Sequence, residues 1–180
     1  MSLRDHTAAA IIDSAAAIMA GPGGAASMNE IASAAGVSRA TLYRYFPNRE
    51  ALLQAMAATS IEELAARIAD ADLQGIPVEQ AVARLARGFI AVGSKYTALV
   101  GHRRTDDHPD AETRLTEPVR ALFRRGIADG SLRADLGPEL LTGLFSGLVK
   151  AALEMTAGGR MGPEEASAAV IAVFLDGTRT

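Results

Sequence analysis

Between Val37 and Arg49 the charged side chains are Arg39, Arg44 and Arg49, with no carboxylate among them. Tyr43 and Tyr45 stand in the same run, together with Ser38, Thr41 and Asn48. Guanidinium groups and phenols donate hydrogen bonds to phosphate oxygens, and a phenol ring also packs on sugar or a thymine methyl. Helix starts at Ser27, Ser38 and Asn48 would add free backbone amides and the positive end of a helix dipole, which also suit phosphate. The chemistry offered is contact with a polyanion, and nothing in the run suggests bond making.

These side chains need elements to hold them. From Leu3 to Ala20, the residues Ala8, Ile11, Ile12, Ala15, Ile18 and Met19 recur at three- and four-residue spacing, which predicts a helix. Gly21-Pro22-Gly23-Gly24 stops it. Ser27 and Glu30 fit a capping box, opening a short helix that turns Met28, Ile31, Ala32 and Ala35 to one side. Gly36 supplies a left-handed turn residue. Ser38 caps a second short helix with Leu42 and Phe46 inward, which leaves Arg39, Ala40, Thr41, Tyr43 and Arg44 outward. A small Ala32, then the glycine, then Val37 and Leu42 form the pattern of a helix-turn-helix. Pro47 closes the unit, and Asn48 caps a long helix from Arg49.

Beyond that point the sequence predicts long helices only. Arg49 to about Ala71 is one, and Pro77 opens another that runs to about Val100. A polar stretch, Gly101 to Pro109, precedes a helix at about Asp110 to Asp129. Asp129-Gly130-Ser131 reads as a turn. Gly137-Pro138 opens a helix to about Ala157, and Gly162-Pro163 opens a last one to about Asp176. The fold class is all-α. A three-helix, helix-turn-helix DNA-binding domain spans residues 1–47, and a helical body spans 48–180, which the resemblance described next implies to be an effector-binding and dimerisation domain.

The run from Met28 through Ile31-Ala32, Gly36-Val37-Ser38, Thr41-Leu42-Tyr43 and Tyr45-Phe46 to Arg49 and Leu52 resembles the signature of the tetracycline-repressor (TetR) family. The resemblance implies phosphate contacts from Ser27, Thr41, Tyr45 and Arg49, and base or mixed contacts from Arg39, Ala40, Tyr43 and Arg44. Arg39-Ala40 and Tyr45 depart from the commonest forms, which bears on which operator is read and leaves the fold untouched.

A two-turn recognition helix needs a second copy to supply operator affinity, with half-sites about one DNA turn apart. Leu140, Leu141, Leu144, Phe145, Leu148 and Val149 form an apolar band too wide for a simple surface helix. Gly143, Gly147 and Ala151 add a ridge of small residues. Ala166, Ala169, Val170, Val173 and Phe174 give the last helix its apolar face, for which packing inside the chain is the competing reading. The resemblance implies that these two helices pair with their mates in a four-helix bundle, a self-complementary patch across a two-fold axis. It also implies an inducer pocket among the middle helices. Phe89, Tyr96, Phe123 and Phe145 are its wall candidates here, with His102 and Arg103 as polar contacts, and ordinary core or surface is the competing reading of each.

Composition removes other classes. The chain has 180 residues, a net charge of −3 and no cysteine, which excludes disulfides, thiolate catalysis and cysteine-bound zinc. A small basic face on an acidic body suits a DNA-binding head whose body stays off the phosphates. The N-terminus lacks the apolar run of a signal peptide, and no stretch reaches the roughly 18 unbroken apolar residues of a membrane span. The expectation is a cytoplasmic protein without membrane contact. His102, Asp106, Asp107 and His108 have metal-ligand side chains and raise a metal-dependent enzyme as a rival. They fall in a polar connection beside Arg103 and Arg104, where a solvated loop is the ordinary explanation. No metal, cofactor or enzymatic activity is expected. The reading is a homodimeric repressor that binds a palindromic double-stranded operator and is released by a small inducer. A ligand-independent activator or architectural DNA-binding protein is the other alternative.

Overall fold

The structure is a computed structural model, and it describes residues 3–20, 26–96, 99 and 112–179. In chain order the helices are α1 (Leu3–Met19), α2 (Met28–Ala34), α3 (Arg39–Tyr45), α4 (Arg49–Asp70), α5 (Val78–Lys95), α6 (Glu117–Ala128), α7 (Pro138–Ala157) and α8 (Pro163–Thr178). A π-helical turn, Glu112–Thr116, leads into α6. Among the described residues the sole β-type pairing is an isolated bridge between Leu132 and Arg179. There the Arg133 N–H donates to the Thr178 carbonyl at 2.9 Å and ties the end of α8 to the α6–α7 connection.

The short helices begin where side chains satisfy their first amides. Ser27 Oγ accepts from the Glu30 N–H at 3.3 Å, and Glu30 Oε2 accepts from the Ser27 N–H at 2.7 Å. Those bonds hold the Glu30 carboxyl below the usual carboxylate range. Ser38 Oγ accepts from Thr41 N–H at 3.1 Å, and Asn48 Oδ1 from Ala51 N–H at 2.8 Å. Gly36 takes φ +65° at the turn between α2 and α3, where a side chain would be strained.

Three boundaries differ from the sequence expectation. Helix α5 stops at Lys95 rather than near Val100, because Tyr96 leaves the helical region (φ −108°, ψ 36°) and its buried phenol reaches Glu63. Helix α6 starts at Glu117 behind the π turn rather than near Asp110. Helix α8 continues past Asp176 to Thr178, whose hydroxyl donates back to the Phe174 carbonyl at 2.7 Å. Gly21–Gly24 and the polar stretch Gly101–Pro109 lie outside the described residues.

Two apolar cores result. The head core joins Ile11, Ile12, Ala15 and Met19 of α1 to Ile31, Ala32, Leu42 and Phe46. It is not closed by the first 47 residues, because Leu52, Leu53 and Met56 of α4 and Val92 and Tyr96 of α5 complete it. The body core is built from α4 to α8, and Leu64 of α4 packs against both cores. Four of the chain's five phenylalanines meet in the body. Phe123 lies 5.8 Å from Phe145 and 5.1 Å from Phe174 between ring centroids, Phe145 lies 5.3 Å from Phe174, and Phe89 packs edge-on to Phe145 at 6.2 Å.

That cluster corrects the assignment of α8. Ala166, Val170 and Phe174 are buried within this chain rather than offered to a partner. They lie four residues apart on the face that α8 turns to α5 and α7. The outward face carries Val173, at 59% exposure, and half-buried Ala169.

Candidate nucleic-acid interface

Helix α3 has seven residues, with Leu42 fully buried in the head core. Phe46, just past its end, is buried in the same core. With that edge fixed inward, Arg39, Ala40, Tyr43 and Arg44 are exposed, and Tyr43 keeps 46% of its surface. An exposed ring on an apolar-poor surface suits a partner that is both polar and stackable. Ser38 and Asn48 are exposed at the starts of α3 and α4, and Ser27 at the start of α2. Their side-chain oxygens are occupied as caps, so what they present outward is the helix start itself. The Ser38 and Thr41 hydroxyls are 2.9 Å apart, so Thr41, half-buried, is held at the first turn.

Two residues of the expected set sit differently from the rest. Tyr45 is half-buried, with its ring 6.4 Å from Phe46 and the Arg44 guanidinium 5.6 Å above it. The ring therefore supports the edge of the head while holding Arg44 in place by a cation–π contact. Arg49 is also half-buried and donates to the Ala26 carbonyl, which ties the start of α4 to the segment entering α2. Sequence could not show that bond, because the partners lie far apart along the chain.

The pocket candidates fall in different parts of the described structure. Phe89, Phe123 and Phe145 belong to the packed aromatic cluster of the body, and Tyr96 belongs to the head core. His102 and Arg103 lie outside the described residues, as do Asp106, Asp107 and His108 of the rival metal cluster. On the expected dimer surface Leu140 and Leu144 are 52% and 46% exposed, and Gly143, Gly147 and Ala151 line the same outward side of α7. Met155, also exposed, extends that side and was not anticipated.

A polar hub joins head to body, and it too was invisible in the sequence. Lys95 of α5 pairs with Asp13 of α1 at 3.0 Å and with Glu63 of α4 at 2.6 Å. The Tyr96 hydroxyl donates to the same Glu63 oxygen at 2.7 Å. Burial, then the hydrogen bond to Glu63, pushes the Tyr96 phenol up to about 12.

A second arrangement runs from Glu62 towards the C-terminal end of α4. Glu62, Ala65, Ala66, Ile68, Ala69, Asp72, Leu73, Gln74, Arg114 and Pro118 line an open groove of about 630 Å³. The Arg114 guanidinium engages both carboxylate oxygens of Glu62, one of them at 2.7 Å. That hydrogen bonding holds the Glu62 carboxyl below its usual range.

Residues 11–56, which include the whole of α2 and α3, match the family model described as "Bacterial regulatory proteins, tetR family". The HTH-type transcriptional regulator NfxB of Pseudomonas aeruginosa is 30% identical over 98% of this chain and 96% of its own. The HTH-type transcriptional repressor LfrR of Mycolicibacterium smegmatis is 38% identical over 90 residues, which are half of this chain and 47% of LfrR. Among solved structures, LfrR in complex with proflavine superposes with a TM-score of 0.75 at 26% identity, covering 99% of both chains. The fatty acid degradation regulator FadR of Bacillus halodurans shares the fold, with a TM-score of 0.76 at 19% identity over 95% of both chains.

Proposed function

The chain belongs to the tetR family of bacterial regulatory proteins, and on that premise we propose that it acts as a homodimeric repressor released from a palindromic operator by a small molecule. It is a DNA-binding transcriptional regulator and not an enzyme. The carrying observation is the division of α3, whose Leu42 is fully buried while Arg39, Tyr43 and Arg44 stand exposed around it. In this reading α3 enters the major groove, Arg39, Ala40, Tyr43 and Arg44 meet base edges or sugar, and Ser27, Ser38, Thr41, Tyr45, Asn48 and Arg49 set the backbone register. Such a protein works in the cytoplasm, where the chromosome is.

The second copy is argued from α7. This helix has the length and composition of a bilayer span, with a mean hydropathy of 1.3 over an 18-residue window, yet little of that window is buried in the chain. A Cβ added at Gly143 or Gly147 would meet nothing within 4 Å. Each glycine costs the helix about 1 kcal/mol against alanine, and this chain's own packing does not require either one. A facing helix would. Leu140, Gly143, Leu144, Gly147 and Ala151, with Ala169 and Val173 of α8, form the proposed interface, and two copies bury it against each other.

Repression and release are supported by LfrR, a repressor by name whose solved structure holds proflavine. The body between α4 and α8 is the region for the corresponding effector in this chain. Selection of bound sequences from random DNA should return a two-fold symmetric site. Tyr43→Ala should then weaken binding to that site at least about tenfold, the loss of roughly 1.4 kcal/mol or more at a base-reading position, with helix content and dimer mass unchanged. Leu144→Glu should give a folded monomer that no longer prefers the paired site. Equal operator affinity in Tyr43→Ala would remove α3 from the DNA.

A further inference from the structure

The head meets the body through contacts of two kinds. Helix α4 runs through both, and Val92 and Tyr96 of α5 complete the head core. Apolar contacts of this sort hold two surfaces together without fixing how one is turned on the other, because the hydrophobic effect has no direction. The polar contact beside them does have one. Lys95, the last residue of α5, gives its ammonium to Asp13 of α1 at 3.0 Å and to Glu63 of α4 at 2.6 Å. The Tyr96 hydroxyl donates to the same Glu63 oxygen at 2.7 Å, and the ammonium lies 5.0 Å from the Tyr96 ring. One cation thus joins three helices, and its arm to Asp13 crosses from body to head.

Stability does not account for that arm. The Lys95 and Asp13 side chains are 39% and 62% exposed, and pairs so open to water add little to folding. The choice of cation is also specific, since the chain carries 16 arginines and only two lysines. A compact ammonium with three donors serves carboxylates converging from two helices, where a planar guanidinium fork favours one. On the far side of α1, Ile11, Ile12, Ala15 and Ala16 are buried in the head core, so a pull at Asp13 moves the helix with its surroundings. Helix α1 packs on α2, and α2 on α3, so the angle of α1 carries the reading helix with it. Its 17 residues span about 25 Å at helical rise, and a tilt of about 8° moves one end by about 3.4 Å, the step between successive base pairs.

We propose that the Asp13–Lys95–Glu63 bridge sets the angle of each head on its body, and that Lys95 is thereby a positioning residue that selects the spacing between operator half-sites. This inference rests on the paired-operator reading given above. Lys95 acts through Asp13 on α1, and through α1 on the separation of the two copies of α3. The side chains of α3 read each half-site, whereas the distance between half-sites is read by the rigidity of what carries them. With the bridge cut, Val92 and Tyr96 still hold the head in place, but over a range of angles. Sites one base pair longer or shorter then become acceptable.

The chain has no cysteine, so spin labels can be placed by Ala17→Cys on the exposed side of α1 and Ala134→Cys in the α6–α7 connection, beside the Arg133 amide bonded to α8. Diluted with unlabelled chain, the full-length labelled protein reports the head-to-body distance within one copy. The distribution should be narrow with the bridge intact and wider in Asp13→Asn, which keeps the Glu63 and Tyr96 contacts and cuts only the arm to the head. In selections from DNA with varied half-site spacing, the preference for one spacing over its neighbours should fall about threefold in Asp13→Asn and in Lys95→Met, the scale of one exposed ion pair. Asp13→Glu keeps the charge and should restore both. The unfolding midpoint of Asp13→Asn should stay near that of wild type, and a lowered midpoint with unchanged spacing would make the pair merely structural. A distribution equally narrow, or equally broad, in wild type and Asp13→Asn overturns the proposal. A wider distribution with the same spacing preference overturns the role in operator reading. If the wild-type chain selects no symmetric DNA site, the repressor reading fails instead, and the distance within one copy still decides whether the bridge holds the head.

Discussion

The head and the body start their helices in different ways. Helices α2, α3 and α4 begin on Ser27, Ser38 and Asn48, each with a side-chain oxygen on a free amide. Helices α5, α6, α7 and α8 follow Pro77, Thr116, Gly137 and Gly162, and none has a side-chain cap. For α2 and α3, with seven residues each, the physical reason is length, whereas α4, with 22 residues, carries its cap where the chain leaves the head. A helix of seven residues has few internal hydrogen bonds to offset its nucleation, so its ends decide whether it forms. A helix of 16 or 20 residues, such as α8 or α7, is held by a buried face. The reading surface is therefore built from local chemistry and the body from contacts between distant residues.

The largest effects test whether the two regions are one cooperative unit. Phe123→Ala, in the aromatic cluster, should cost about 4 kcal/mol, and Leu42→Ala about 3 kcal/mol. Because Val92 and Tyr96 place the end of α5 in the head core, both variants should lower a single calorimetric transition. A Leu42→Ala chain whose body melts at the wild-type temperature would show two independent units.

The hub at the seam gives the next effect. Tyr96→Phe removes a hydrogen bond to the Glu63 carboxylate and should cost about 1.5 kcal/mol. The phenol is raised in the folded chain from 10.0 to about 12. Its contribution is thus complete below pH 10 and is lost as pH rises from 10 towards 12, because there the unfolded chain gives up the proton first. Lys95, whose ammonium is also raised by Glu63 and Asp13 against its own desolvation, loses its contribution in the same direction. Unfolding midpoints from pH 9 to 12 should fall more steeply in wild type than in Tyr96→Phe, and parallel curves would separate the phenol from the seam.

The contrast between local and distant contacts also explains what was legible. Every feature that identifies α2 and α3 lies within a few residues of its partner: the Ser27–Glu30 box, Gly36 at the turn, and Leu42 and Phe46 one turn apart. Their inward direction fixed the outward one, so Tyr43 and Arg44 could be placed on the surface from spacing alone. Arg49 could not, because its bond to the Ala26 carbonyl closes over 23 residues. On α8 the periodicity marks apolar residues on two sides, but cannot say which side meets the body core. Ala166, Val170 and Phe174 turned out to be internal and Val173 external. Asp72, Arg114 and the Lys95 hub carry no local pattern, since each depends on helices that meet only after folding.

The caps sharpen the comparison at smaller scale. Ser38→Ala frees the Thr41 amide and should cost about 1 kcal/mol, nearly all of it from α3. Operator affinity should fall with it, because the helix start also faces the proposed phosphate.

The converse change should stabilise the body slightly. Gly162 precedes α8 with φ −77° and ψ 159°, the extended backbone that a serine cap adopts, and a Cβ there would meet nothing within 4 Å. Glu165 lies three residues on, so Gly162→Ser would complete a capping box like that at Ser27. Glycine is itself a tolerable cap, and α8 already forms through its buried face, so the gain should be only about 0.5 kcal/mol. Loss of one backbone freedom in the unfolded chain adds to it in the same direction. A gain of the size lost in Ser38→Ala would show that α8, too, depends on its ends, and the distinction between the two regions would then lie in sequence choice rather than helix length.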